Sequence, residues 1–162
     1  MSLSTIIAGP SVVGIVLSLG KSIITEGIQL TTRGMIFLLE TNPQLSTFTE
    51  PIDLDAELKV IDAMVETLQS QIIIESTPYK ALWISLTSLR DSLDKVHIIL
   101  GQLDKEIKYH DTIYFKNWRT PRYLHLITSL QIHWHRVLSR KTTLLQTISY
   151  LANTKIIGNL LL

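Results

Sequence analysis

Residues 82–107 read LWISLTSLRDSLDKVHIILGQLDKEI. Within them Leu82, Leu86, Leu89, Leu93, Val96, Leu100, Leu103 and Ile107 follow at alternating intervals of four and three residues, without a break. A helix of 3.6 residues per turn gathers such positions into one apolar stripe, which other helices must cover. No segment of the chain shows the apolar–polar alternation of a half-buried strand. The spacing therefore predicts an all-α fold.

The same pattern continues on both sides. Ser76-Thr77-Pro78 reads as a turn, with Thr77 as N-cap and Pro78 at the first helical position, so a helix is expected over 78–109. Before it, Leu54, Leu58, Ile61, Val65, Leu68 and Ile72 repeat the four-three spacing and predict a helix over 53–75. Asp53 suits its N-cap, and Asp55 and Glu57 suit the positive end of its dipole. Glu57, Asp62 and Glu66 are expected to form a solvated acidic face. The short link at 76–78 predicts that these two helices are antiparallel neighbours. After residue 109, HDTIYFKNWRTP (110–121) is a connection, and Thr120-Pro121 repeats the helix-start signal. A helix over 121–153 is expected to turn Ile127, Leu130, Trp134, Val137, Leu144, Ile148 and Leu151 inward, with Lys141 as a polar break. The tail 155–162 (KIIGNLLL) is expected to pack on the bundle or on a partner.

The stretch at 5–39 (TIIAGPSVVGIVLSLGKSIITEGIQLTTRGMIFLL) has a different character. It is apolar on nearly every side, and its only charges are Lys21, Glu26 and Arg33. Pro10 is well placed to open a helix and Asn42-Pro43 to end one, which predicts a first helix over 10–41. Gly20, Gly27 and Gly34 recur every seven residues and so share one face. Each costs roughly 1 kcal/mol against alanine inside a helix, and close approach of another helix backbone is the expected compensation. A neighbour is likewise expected to cross closely at Gly101. Residues 42–52, with two prolines, are expected to be a loop whose Leu45 and Phe48 plug the end of the bundle. The whole reads as one domain: an antiparallel four-helix bundle with a long, apolar, glycine-studded first helix as its most enclosed member.

That first helix has three readings: a core helix, a membrane span, or a helix buried in one state and released in another. Pro10 interrupts the uncharged run and leaves 11 residues from Pro10 to Gly20, short of the ~20 a span requires.

Composition narrows the function. Apolar residues make up 46% and charged residues 18% of the 162, so apolar surface is in excess of what a soluble monomer of this size usually carries. No cysteine is present, which excludes disulfides, thiolate metal sites and cysteine nucleophiles. The first charged side chain is Lys21, so the basic start of a secretory signal is missing. An intracellular chain is expected, cytoplasmic or peripherally attached to a membrane and not secreted. Residues 1–75 carry a net −6 and residues 76–162 a net +7, and no acid occurs from Thr112 onward. The basic half either faces the acidic helix of its own fold or meets an anionic surface.

No catalytic pattern emerges. His133 and His135 flank Trp134 and point about 200° apart on a helix, so they do not chelate one ion. Gly20-Lys21-Ser22 resembles the end of a phosphate loop, but Ile15 stands where that loop needs glycine. No enzyme, cofactor, metal or small-molecule substrate is expected. The informative set is Lys116, Trp118, Arg119, Arg122 and Tyr123, continued by Arg136, Arg140 and Lys141. Cations interleaved with aromatics suit a protein interface or an anionic membrane; nucleic acid ranks below both, and the alternative is a cap that closes the bundle's end.

Residues 5–23, through Gly9, Ser11, Val12, Val13, Gly14, Ile15 and Gly20, resemble the opening helix of fungal HeLo and HeLo-like domains, the N-terminal helical bundles of cell-death proteins. The general plan is also similar to the four-helix executioner domain of mixed-lineage kinase-like pseudokinases. The resemblance implies a non-enzymatic signalling bundle whose first helices engage anionic membranes once released. The alternative is a structural or assembly subunit of a larger particle, such as a virion or a multiprotein complex. Protein partners or self-association are expected in either case.

Overall fold

The computed structural model describes residues 12–71, 79–113 and 121–160, with side chains for 22–68, 80–113 and 121–154. Among the described residues the fold is all-α: α1 (Val12–Thr41), α2 (Pro43–Thr49), a 3₁₀ turn (Glu50–Ile52), α3 (Leu54–Gln71), α4 (Tyr79–Thr112) and α5 (Leu124–Leu160).

Two boundaries fall where the sequence places them, and each has a local cause. α1 stops at Thr41, where Asn42 leaves the helical region (φ −124°, ψ 82°) ahead of Pro43. α3 begins after Asp53, whose carbonyl accepts the Glu57 N–H at 3.2 Å. Asp53 itself is left-handed (φ 47°), a conformation that Asp tolerates better than most residues.

Three expectations are corrected. Residues 42–52 are not a loop. Pro43 supplies a preset φ for the first turn of α2, and the Ser46, Thr47 and Thr49 hydroxyls donate back to carbonyls of that short helix. α5 starts three residues after Pro121, because Tyr123 provides the carbonyl that accepts the Leu126 and Ile127 N–H groups. The expected tail from residue 155 continues α5 as helix to Leu160.

The long helices pair through named contacts. α1 runs antiparallel to α3: Arg33 meets Asp62 and Glu66, and Glu40 meets Lys59 further along. α1 runs parallel to α4: Gly27 faces Arg90, Thr31 donates to Asp94 at 2.9 Å, and Gly34 faces His97. α4 runs antiparallel to α5, with the Ser85 and Thr147 hydroxyls 3.3 Å apart. α3 and α4 are therefore opposed in direction, yet they are not among the closely packed pairs. The expectation of adjacent neighbours fails because α1 lies beside both of them.

One apolar cluster joins all of these elements. Each of the eight α4 seam residues is buried, with Leu86, Leu89, Leu93, Val96, Leu100 and Leu103 fully so. α3 contributes Leu54, Leu58, Ile61, Val65 and Leu68; α5 contributes Leu126, Leu130, Trp134, Val137 and Leu144. Leu45 of α2 closes one end, where Phe48 stands edge-on to Tyr123 at 5.5 Å. Ile72 of the expected α3 seam lies outside the described residues.

Candidate interaction surface

α1 has two apolar faces. One carries Ile24, Ile28, Met35 and Leu39 into the core, together with the buried Thr25 and Thr32. The other carries Ile23, Leu30 and Phe37, which are 63%, 72% and 66% exposed. These three stand seven residues apart, about two helical turns, so they form a single outward row roughly 21 Å long. The helix expected to be the most enclosed member thus turns large apolar side chains to solvent. Because 5–39 is apolar on nearly every side, hydropathy alone does not single out this row. The signal was the second seven-residue interval, running out of phase with Ile28 and Met35.

The row has charged and small flanks. Towards α3 lie Glu26, which accepts from Ser22 at 3.3 Å, and Arg33. Arg33 Nε donates to Asp62 at 3.3 Å and Nη2 to Glu66 at 2.6 Å. The acidic face of α3 is consequently not simply solvated: two of its carboxylates hold α1. Towards α4 lie Gly27 and Gly34, and their role differs from the one expected. A Cβ on Gly27 would come 2.9 Å from Arg90 Nε, and one on Gly34 would come 3.6 Å from His97 Cε1. The glycines make room for side chains rather than for a helix backbone. Among the described residues Gly101 has nothing within 4 Å of such a Cβ, so none of them crosses closely there. The surroundings of Gly20 lie outside the described side chains.

The basic set divides. Lys116, Trp118 and Arg119 lie outside the described residues. Arg122, Arg136 and Arg140 are exposed, and the last two share one side of α5 at i, i+4 spacing. Tyr123 is half-buried between Phe48 and His110, whose ring centroids lie 5.5 and 5.7 Å away, so it serves the cap. Lys141 turns inward to form an ion pair with Glu57 and ties α5 to α3. The polar break in the α5 seam is thereby explained: within the fold Lys141 is engaged by Glu57. Beside Arg136, His133 is held below the usual histidine range, first by burial and then by repulsion from Arg136 and Lys95.

Among the described residues no group of three His, Asp or Glu side chains comes together to hold a metal ion. Nor is any described helix long and apolar enough to cross a membrane. What the arrangement offers is contact chemistry: an outward apolar row on α1 and separate guanidinium groups on α5. No family model, curated protein or solved structure matches the chain.

Proposed function

We propose that the chain is a non-enzymatic interaction domain, its four long helices forming a four-helix bundle, and that it works through the outward face of α1. The observation that carries this reading is the row Ile23, Leu30 and Phe37. Single exposed apolar residues are ordinary, but a register-matched row on one helix marks a surface that another molecule covers. The four-helix arrangement is supported by the chain of contacts α3–α1–α4–α5 and by the Lys141–Glu57 pair between α5 and α3.

Two kinds of partner fit. An assembly contact with protein is favoured by the seven-residue register of the row, which suits a facing helix. Peripheral engagement of an anionic membrane, as the HeLo-like resemblance implies, is favoured by Arg122, Arg136 and Arg140 standing exposed in the acid-free segment from Thr112 onward. Paired variants separate them. Leu30→Lys with Phe37→Lys is expected to abolish self-association and any flotation with phosphatidylserine vesicles. Arg136→Ala with Arg140→Ala is expected to weaken flotation alone. If the Leu30/Phe37 double variant matches the parent in both assays, the α1 face is not the working surface.

A further inference from the structure

The row on α1 is self-complementary, and we infer that its partner is a second copy of this chain, docked antiparallel with Leu30 on the two-fold axis. The inference rests on the reading of α1 as a contact surface and names what covers it. Leu30 lies seven residues from Ile23 and seven from Phe37. Turning one copy about Leu30 therefore sets Leu30 on Leu30, and at both ends sets Ile23 of one copy against Phe37 of the other. Each level then holds two large apolar side chains, as a two-fold interface requires.

Charge sets the direction. Glu26 and Arg33 flank the row on the same side, four residues before Leu30 and three after it. In the antiparallel pair, Glu26 of one copy and Arg33 of the other stand on the same side, with levels differing by one residue, about 1.5 Å. Symmetry supplies this pairing twice. Arg33 spends Nε on Asp62 and Nη2 on Glu66, and among the described residues Nη1 keeps its N–H groups for a further carboxylate. In a parallel pair the two-fold runs along the helices and carries the charged flanks to opposite sides, where they do not meet. Such rim pairs add little affinity and chiefly fix orientation. Ile98, one residue past His97 and 58% exposed, widens the apolar face on its α4 side. Three side chains of this size fall short of the roughly 800 Å² per partner of standard complexes, so the dimer is expected to be reversible.

The absence of cysteine makes the geometry directly testable. Under mild oxidation Leu30→Cys is expected to cross-link to itself. Ile23→Cys is expected to cross-link with Phe37→Cys but not with itself. Sedimentation equilibrium of the unmodified chain is expected to show a monomer–dimer equilibrium. Leu30→Lys, which changes an exposed residue and is expected to keep its helical content and melting temperature, should raise the dissociation constant at least about tenfold. The inference is overturned if the parent stays monomeric at about 100 μM, if Leu30→Lys leaves the equilibrium unchanged, or if Ile23→Cys links to itself as readily as to Phe37→Cys. A monomeric parent whose vesicle flotation still requires Leu30 would remove the dimer and leave the contact-surface reading standing. Loss of both would remove both.

Discussion

The seam of α4 and the outward row of α1 obey the same seven-residue rule and end in opposite places. Leu86, Leu93 and Leu100 are fully buried, whereas Ile23, Leu30 and Phe37 are mostly exposed. The difference is one of coverage rather than of side-chain chemistry. α4 turns its seam towards the shared core, where α1 and α5 pack beside it. α1 has already turned Ile28 and Met35 to that core, and among the described residues no further helix covers its second apolar face. Register makes a face apolar; topology decides whether the fold or a partner covers it.

The sharpest way to break this comparison is to truncate one leucine on each face. Leu93→Ala leaves a cavity among fully buried neighbours and is expected to cost about 2–5 kcal/mol in urea unfolding. Leu30→Ala, measured in dilute solution, is expected to stay within about 0.5 kcal/mol of the parent. Equal losses at the two sites would show that α1 is enclosed after all.

Next in size is the link that draws α5 to α3. Lys141→Ala strands Glu57, which water still reaches in part, and is expected to cost about 1–2 kcal/mol in the same unfolding assay. Arg33→Ala, whose side chain is 55% exposed, is expected to cost less than about 1 kcal/mol. A larger loss at Arg33 would place the stronger tie on the outward flank of α1.

Smaller effects, of opposite sign, are expected from the glycines. Gly101→Ala meets open space, and Gly34→Ala meets only ordinary contact with His97, so each is expected to raise the urea midpoint by an amount worth about 0.5–1 kcal/mol. Gly27→Ala gains less, because Arg90 has to move aside. A large loss at Gly101 would mean that an unseen neighbour crosses there.

The smallest effect is the pH response of His133. Its ordinary value is 6.5, and the folded chain holds it lower. Between the two values the unfolded chain binds more protons, so stability is full above about pH 6.5, falls as pH drops through it, and levels off below the folded value. His133→Gln is expected to flatten that part of the urea midpoint's pH dependence. An unchanged slope would remove His133 as its source.

Much of this architecture is legible in the residues themselves. The α3, α4 and α5 seams are readable because each helix has one apolar stripe, and a single stripe has a single meaning. Asn42-Pro43 is readable as a stop because proline disfavours helix in the residue before it. The α2 helix was hidden because Ser and Thr at 46, 47 and 49 look like loop residues until their hydroxyls find carbonyls of their own helix. The neighbour order was hidden because a short link fixes direction and leaves the choice of adjacent or diagonal open. The outward row of α1 was hardest to see. An α1 that is apolar on two faces looks the same, residue by residue, as one that is enclosed, and Lys141 and Tyr123 look like surface contacts until Glu57 and Phe48 are found beside them.

The central claim is that Leu30 faces solvent in the isolated chain while Leu93, on the same rule, does not. Thiol labelling of Leu30→Cys and Leu93→Cys in otherwise cysteine-free chains, at sub-micromolar concentration, tests it in one experiment. The account predicts that Cys at position 30 reacts at nearly the rate of a free thiol, and that Cys at position 93 reacts at least about a thousandfold more slowly, waiting on unfolding. Equally slow labelling at both positions would contradict it.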